Sequence, residues 1–75
     1  MRNESSFNQL RLGLNIRLRR KLMRMTQAEL AQRVGCGVQT ISDIERGKRP
    51  ISVNMLFSLS RSMGFPVSEI LQGVE

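Results

Sequence analysis

Apolar residues recur at helical spacing in successive short blocks of this chain, each block bounded by a capping residue, a glycine or a proline. Leu12, Ile16 and Met23 form one stripe of a first helix running from about Phe7 to Met23. Ahead of it, residues 1–6 are polar and aperiodic, which predicts a flexible N-terminal segment before a domain spanning residues 7–75. Thr26 with Glu29 three residues on makes a capping box, so a second helix follows and runs to Val34 before Gly35. A third is expected from about Val38 to Arg46, stopping at Gly47. Gly37 stands at its cap, a weaker choice than Ser or Thr by roughly a few tenths of a kcal/mol. Ser52 caps a fourth helix with the stripe Val53, Leu56, Leu59 and Met63, ending at Gly64, and Pro66 opens a short fifth over Val67 to Leu71. This order predicts an all-α, compact five-helix bundle.

The first helix carries a second apolar stripe. At 100° per residue, Phe7, Leu10, Leu14 and Leu18 fall together on the side roughly opposite Leu12, Ile16 and Met23. A contiguous apolar stripe is uncommon on the free surface of a monomer. Three readings stay open: another subunit or partner protein covers it, the segment before Phe7 folds back over it, or the helix has a different register.

Composition narrows the chemistry. At 75 residues the chain is one domain with a modest core. Its 40% hydrophobic residues, without Trp or Tyr and with only Phe7, Phe57 and Phe65 as aromatics, suit packed helices better than sheet. The formal net charge of +6 favours a polyanion, either nucleic acid or an acidic membrane surface. There is no secretory signal pattern and no apolar run of membrane-spanning length, so a cytoplasmic location is expected, with no membrane partner. A single cysteine forms no internal disulfide, and without histidine there is neither a credible zinc site nor an imidazole base. No catalytic residues, metal or cofactor are therefore expected, and an enzyme is the poorest reading. Cys36 reads as a small core residue in preference to a redox switch.

From Gln27 to Ile44 the spacing becomes more specific. Counting Gln27 as the first position, Ala31 is fifth, Gly35 ninth and Ile41 fifteenth, with Leu30, Val34 and Ile44 as further apolar positions. Ala31 permits a close helix crossing, Gly35 supplies the positive φ that ends the first helix of the pair, and the apolar residues fill the wedge between the two. This is a helix-turn-helix, a corner that exposes the start of its second helix to a DNA major groove.

Three segments in order carry a family resemblance: Met25 to Ala31, Thr40 to Pro50, and Met63 to Leu71. Together with the five-helix order they resemble the Cro/C1-type repressor domain of phage and bacterial transcription regulators, over about Leu12 to Gln72. The resemblance implies a lambda-repressor-like bundle with the helix-turn-helix at helices two and three. It places Val38, Gln39, Thr40 and Asp43 against base edges. Gln39 is the strongest reader, since a glutamine can bond adenine bidentately. Val38 touches a thymine methyl or simply packs, and Asp43 either accepts from cytosine or is a solvated charge. Thr40 contacts DNA or supports the turn.

The same resemblance assigns Thr26, Gln27, Ser42, Arg46, Lys48 and Arg49 to the phosphate backbone. The family's glutamine at position 27 also braces a polar partner at the start of the recognition helix, a role Val38 cannot fill. Arg20 and Glu45 fall on positions that pair in the family and are expected to clamp the first helix to the third. Double-stranded DNA is the implied partner, met as a homodimer. The family's usual contact would involve Ile51, Pro66, Val67, Ile70 and Leu71, which are also plausible core, Ile70 above all, and the sequence does not decide which surface is used. The function implied is sequence-specific transcriptional regulation at a near-palindromic operator, by a repressor or a restriction–modification-type controller. The alternative is an antitoxin-like interaction module that binds a toxin through Phe7, Leu10, Leu14 and Leu18. Nonspecific RNA binding is a weaker reading, for want of exposed aromatics on which bases stack.

Overall fold

The computed structural model describes residues 4–74, and of Glu4 to Phe7 it describes the backbone alone. The order is α1 (Glu4–Leu22), α2 (Gln27–Val34), α3 (Val38–Glu45), α4 (Val53–Met63) and α5 (Val67–Ile70), with no strand among the described residues. Two helices are one residue shorter than their patterns predict, α3 ending before Arg46 and α5 before Leu71. The first begins three residues before Phe7, so Glu4 to Ser6 continue its turn. The segment ahead of Glu4 lies outside the described residues.

Local signals set most of these limits. Thr26 Oγ1 accepts from the Glu29 amide at 3.0 Å, and the Glu29 carboxylate accepts from the Thr26 amide at 2.8 Å, closing the capping box. The bond from the Thr26 amide chiefly, with the Thr26 hydroxyl helping, holds the Glu29 carboxyl below its ordinary range. Ser52 Oγ accepts from the Met55 amide at 3.1 Å, whereas Gly37 caps α3 with no side-chain bond. Gly35 at φ 90° and Gly64 at φ 77° end α2 and α4 in the left-handed conformation.

The end of α1 has no glycine. Arg24 takes the left-handed role instead, at φ 59°, while the Met23 and Met25 amides bond back to Arg20. Because the chain leaves the helix at Leu22, Met23 swings out to 48% exposure and Met25 takes the core place expected of it. Val53 is the second misplaced member of a predicted stripe. Heading α4, it lies 60–120° around the helix from Leu56, Leu59 and Met63 at 100° per residue, and it is 67% exposed.

The core comprises Ile16, Met25, Leu30, Ala31, Ile41, Ile44, Leu59, Met63 and Ile70, so every helix contributes. Ile70 is wholly buried in it and unavailable to a dimer surface. Leu12, Val34, Cys36 and Ile51 pack around this centre. Two residues that the hydropathy pattern passes over fix how α1 sits. A Cβ at Gly13 would overlap the carbonyl oxygens of Ile44 and Glu45, so the glycine lets α1 cross the end of α3 backbone to backbone. Asn15, almost fully buried, donates through Nδ2 to the carbonyls of Ile70 at 2.8 Å and Gln72 at 2.7 Å, tying the C-terminal turn to α1.

Candidate nucleic-acid interface

Burial of Ile41, Ile44 and Glu45 fixes the rotation of α3 and turns its opposite side outward. Along that outward side run Val38, Gln39, Ser42, Asp43 and the capping residue Arg46; Gln39 is exposed, Val38 is half-exposed and Asp43 is half-buried. The polar members are joined to one another. Gln39 Nε2 donates to Asp43 Oδ1 at 3.0 Å, and Arg46 Nη2 reaches the same oxygen at 3.4 Å. The Gln39 bond chiefly holds the Asp43 carboxyl below its ordinary range against the opposing desolvation, with smaller help from Arg46 and Arg49. With one amide N–H turned to Asp43, Gln39 keeps its other N–H and its carbonyl oxygen for a ligand.

Thr40 lies to the side of this row and accepts from Arg49 Nη1 at 3.5 Å. That contact draws the exit loop back along α3. The loop is held from beneath as well, since Gln9 Nε2 donates to the Gly47 carbonyl at 3.1 Å and Gly47, at φ 72°, fits against Leu10. Lys48 and Arg49 are exposed beyond it, and the Lys48 amide donates to the Asp43 carbonyl at 2.8 Å. Cys36 packs beside the core in the turn between α2 and α3, where desolvation pushes its thiol up against the smaller opposing pull of Arg49.

A buried polar junction locks α1, α2 and α3 under this surface. Arg20 grips Glu45 with two bonds, Nε to Oε2 at 2.6 Å and Nη2 to Oε1 at 3.0 Å, and its Nη1 donates to the Met25 carbonyl at 2.8 Å. The two side chains are only 9% and 2% exposed, so the fork geometry and the extra acceptor compensate their desolvation. Gln27 completes the junction by donating to Glu45 Oε1 at 3.0 Å. Its brace on α3 therefore runs to the end of the helix, not to the start where Val38 stands. One Gln27 N–H and the free backbone N–H groups of the first turn of α2 remain for an anion. In Thr26, the backbone N–H and Oγ1 are both engaged by Glu29.

A helix-turn-helix family model matches residues 16–70, most of the chain. The protein belongs to the Cro/C1-type helix-turn-helix family of DNA-binding transcriptional regulators. A transcriptional regulator in the ATPase CF(0) region of Rhodospirillum rubrum, itself uncharacterised, is 30% identical over 64 residues, which are 85% of this chain and 59% of that protein. The chain thus spans well under two thirds of that relative's length. The DNA-binding domain of the P22 C2 repressor superposes with a TM-score of 0.78 at 31% identity, covering 85% of this chain and 86% of that one. A restriction–modification controller protein from Aeromonas hydrophila shares the fold, with a TM-score of 0.83 at 22% identity over 85% of this chain and 97% of its own. The bundle of this family member is lambda-repressor-like, with α2 and α3 as its helix-turn-helix.

Among the described residues no group of three or more His, Cys, Asp or Glu side chains could hold a metal ion, and no helix is long and apolar enough to cross a membrane. The expected readers Val38, Gln39 and Asp43 share the outward side of α3 with the backbone candidates Ser42 and Arg46, while Thr40 and Arg49 meet at its edge. Gly13, Asn15 and Gln9 position the site without touching it, and none belongs to an apolar stripe. The one legible hint was a glycine in mid-helix, where it costs about 0.5–1 kcal/mol and so implies a close approach.

Proposed function

We propose that this protein is a sequence-specific operator-binding regulator, a repressor or a restriction–modification-type controller, acting as a homodimer on a near-palindromic site. The observation that carries the reading is the hydrogen-bonded row Gln39–Asp43–Arg46 on the outward side of α3, beside the basic exit loop with Lys48 and Arg49. Gln39 reads adenine with the donor and acceptor left to it, and Asp43 holds the amide in that orientation. Val38 and Thr40 contribute contacts on either side. Thr26, Gln27, Ser42, Arg46, Lys48 and Arg49 grip phosphates and set the register.

A two-fold dimer meets two half-sites about 34 Å apart and multiplies their discrimination. Ile51, Pro66, Val67 and Leu71 are the candidates for its surface, Ile70 being core. Fluorescence anisotropy on DNA from upstream of the protein's own gene, against a scrambled duplex over a salt series, tests the reading. Preference of at least ~10³-fold near physiological salt with two chains per site is expected; equal, steeply salt-dependent binding to both duplexes overturns it.

A second reading is favoured by one observation. Leu10, Leu14 and Leu18 stand half-exposed on α1, the surface through which an antitoxin-like module would hold a protein partner. Phe7, the fourth residue expected there, lies outside the residues whose side chains are described.

A further inference from the structure

The outward side of α1 takes no part in the operator contacts proposed above. Leu10, Leu14, Leu18 and Leu22 stand one above another at intervals of four residues, each between 49% and 70% exposed. At 1.5 Å and 100° per residue they make a ridge about 18 Å long that winds about 120° around α1, each leucine about 40° on from the last. Leu22 extends the ridge one turn beyond the stripe that the sequence pattern marks. A ridge of this spacing matches the groove between the side-chain rows of another helix.

The charges beside it decide what kind of helix. From Ser5 to Ala28 the chain has no Asp or Glu but six Arg and Lys residues. Arg19 and Arg20 turn inward, Arg19 lying 5.6 Å over the Phe65 ring and Arg20 bonded to Glu45. Arg11 leans toward the C-terminal turn, its Nε 3.5 Å from the Gln72 carbonyl oxygen. Arg17 and Lys21 are exposed and, at 100° per residue, point within about 20° of Leu10. Neither forms an ion pair or hydrogen bond with another described residue. A second copy laid on this ridge would set Arg17 and Lys21 against like charges, which an apolar contact of four leucines would have to overcome. Along the helix axis Arg17 falls between Leu14 and Leu18 and Lys21 between Leu18 and Leu22, but around it both stand about 60–100° to one side of those leucines, so an occupant must supply carboxylates along one flank of its apolar stripe.

We infer that the α1 ridge is a docking surface for an acidic amphipathic helix of a partner protein, leucine-type side chains packing between Leu10, Leu14, Leu18 and Leu22 and carboxylates meeting Arg17 and Lys21. The inference deepens the protein-interaction reading of α1 and rests on it, and it is independent of operator binding.

The test uses the 75-residue protein and two synthetic helical peptides with the same leucine stripe, one flanked by glutamates and one by lysines. Amide and methyl chemical shifts of the protein are followed through each titration. The acidic peptide should saturate, move the signals of Leu10, Leu14, Leu18 and Leu22, and bind at least ~10-fold more tightly than the basic one at low salt. Leu14→Glu with Leu18→Glu should abolish that binding and leave DNA affinity unchanged, which also shows that the variant folds. Arg17→Glu with Lys21→Glu should invert the preference between the peptides. Equal binding of both peptides at the ridge overturns the acidic chemistry while sparing the interaction reading. Binding of neither, with self-association lost in the Leu14→Glu, Leu18→Glu variant, overturns both in favour of a second copy. Binding of neither, with capture by phosphatidylserine vesicles that the same variant loses, overturns both in favour of an anionic membrane.

Discussion

The outward sides of α1 and α3 both face away from the core, yet they are built in opposite ways. On α3 the exposed side chains are polar and bonded to one another, Gln39 to Asp43 and Asp43 to Arg46. Their donors and acceptors are ordered before any ligand arrives, which lowers the entropy cost of meeting a rigid partner such as a groove floor. On α1 the exposed side chains are leucines, with Arg17 and Lys21 unpaired among the described residues. Affinity there would come from area removed from water, which is not directional, and selectivity would come from charge. In the functions proposed above, one surface reads and the other holds.

The two are joined by the buried junction, so the strongest perturbation acts on both at once. Arg20→Ala leaves Glu45 buried with only Gln27 as partner and should cost about 3–5 kcal/mol, visible as a large drop in thermal midpoint by circular dichroism and loss of every binding activity. An unchanged melt would mean that α1 and α3 are held together by other contacts. Gly13→Ala comes next. The added methyl would overlap the Ile44 and Glu45 carbonyls and push α1 off α3, costing about 1–3 kcal/mol. Denaturant midpoints of the variant check this, and a neutral or stabilising result would show that the helices can part without penalty.

Separation of the two surfaces appears with milder changes. Gln39→Ala should leave the melt unchanged and cost about 1–3 kcal/mol of discrimination at one base pair, measured by anisotropy on operator variants. If affinity falls equally on every duplex, Gln39 is a phosphate contact and the comparison loses its reading side. The smallest effect is electrostatic. The Asp43 carboxyl titrates below its unfolded value, so its contribution is fully present above the unfolded pKa and is lost as pH falls through the folded one. An NMR titration should find Asp43 below the ordinary carboxylate range and returned toward it in Gln39→Ala. An ordinary Asp43 in the native protein would mean that the row on α3 is not ordered in solution.

Much of the scaffold can be read along the chain because its determinants are local. The Thr26–Glu29 box, the Ser52 cap and the glycines at 35 and 64 act within one turn, so helix limits follow from neighbouring residues. The places where the reading slipped, Met23 and Val53, lie at helix ends, where one residue of fraying or a starting turn changes which way a side chain points. The outward row of α3 was also legible, since burial of Ile41 and Ile44 sets its rotation. The bond from Gln39 to Asp43 is an i,i+4 pair that periodicity alone places together.

The sequence by itself therefore determined the five helices, the helix-turn-helix and the basic character of its exit loop, all set by spacing and capping over short stretches. Tertiary structure decided how those helices meet. It brought Gln27 to Glu45 across 18 positions, Asn15 to the carbonyls of Ile70 and Gln72 across more than 50, and the bare backbone of Gly13 against the end of α3. No periodicity announces such pairings, because a buried polar group or a missing Cβ acquires its meaning only from the partner that folding places opposite it.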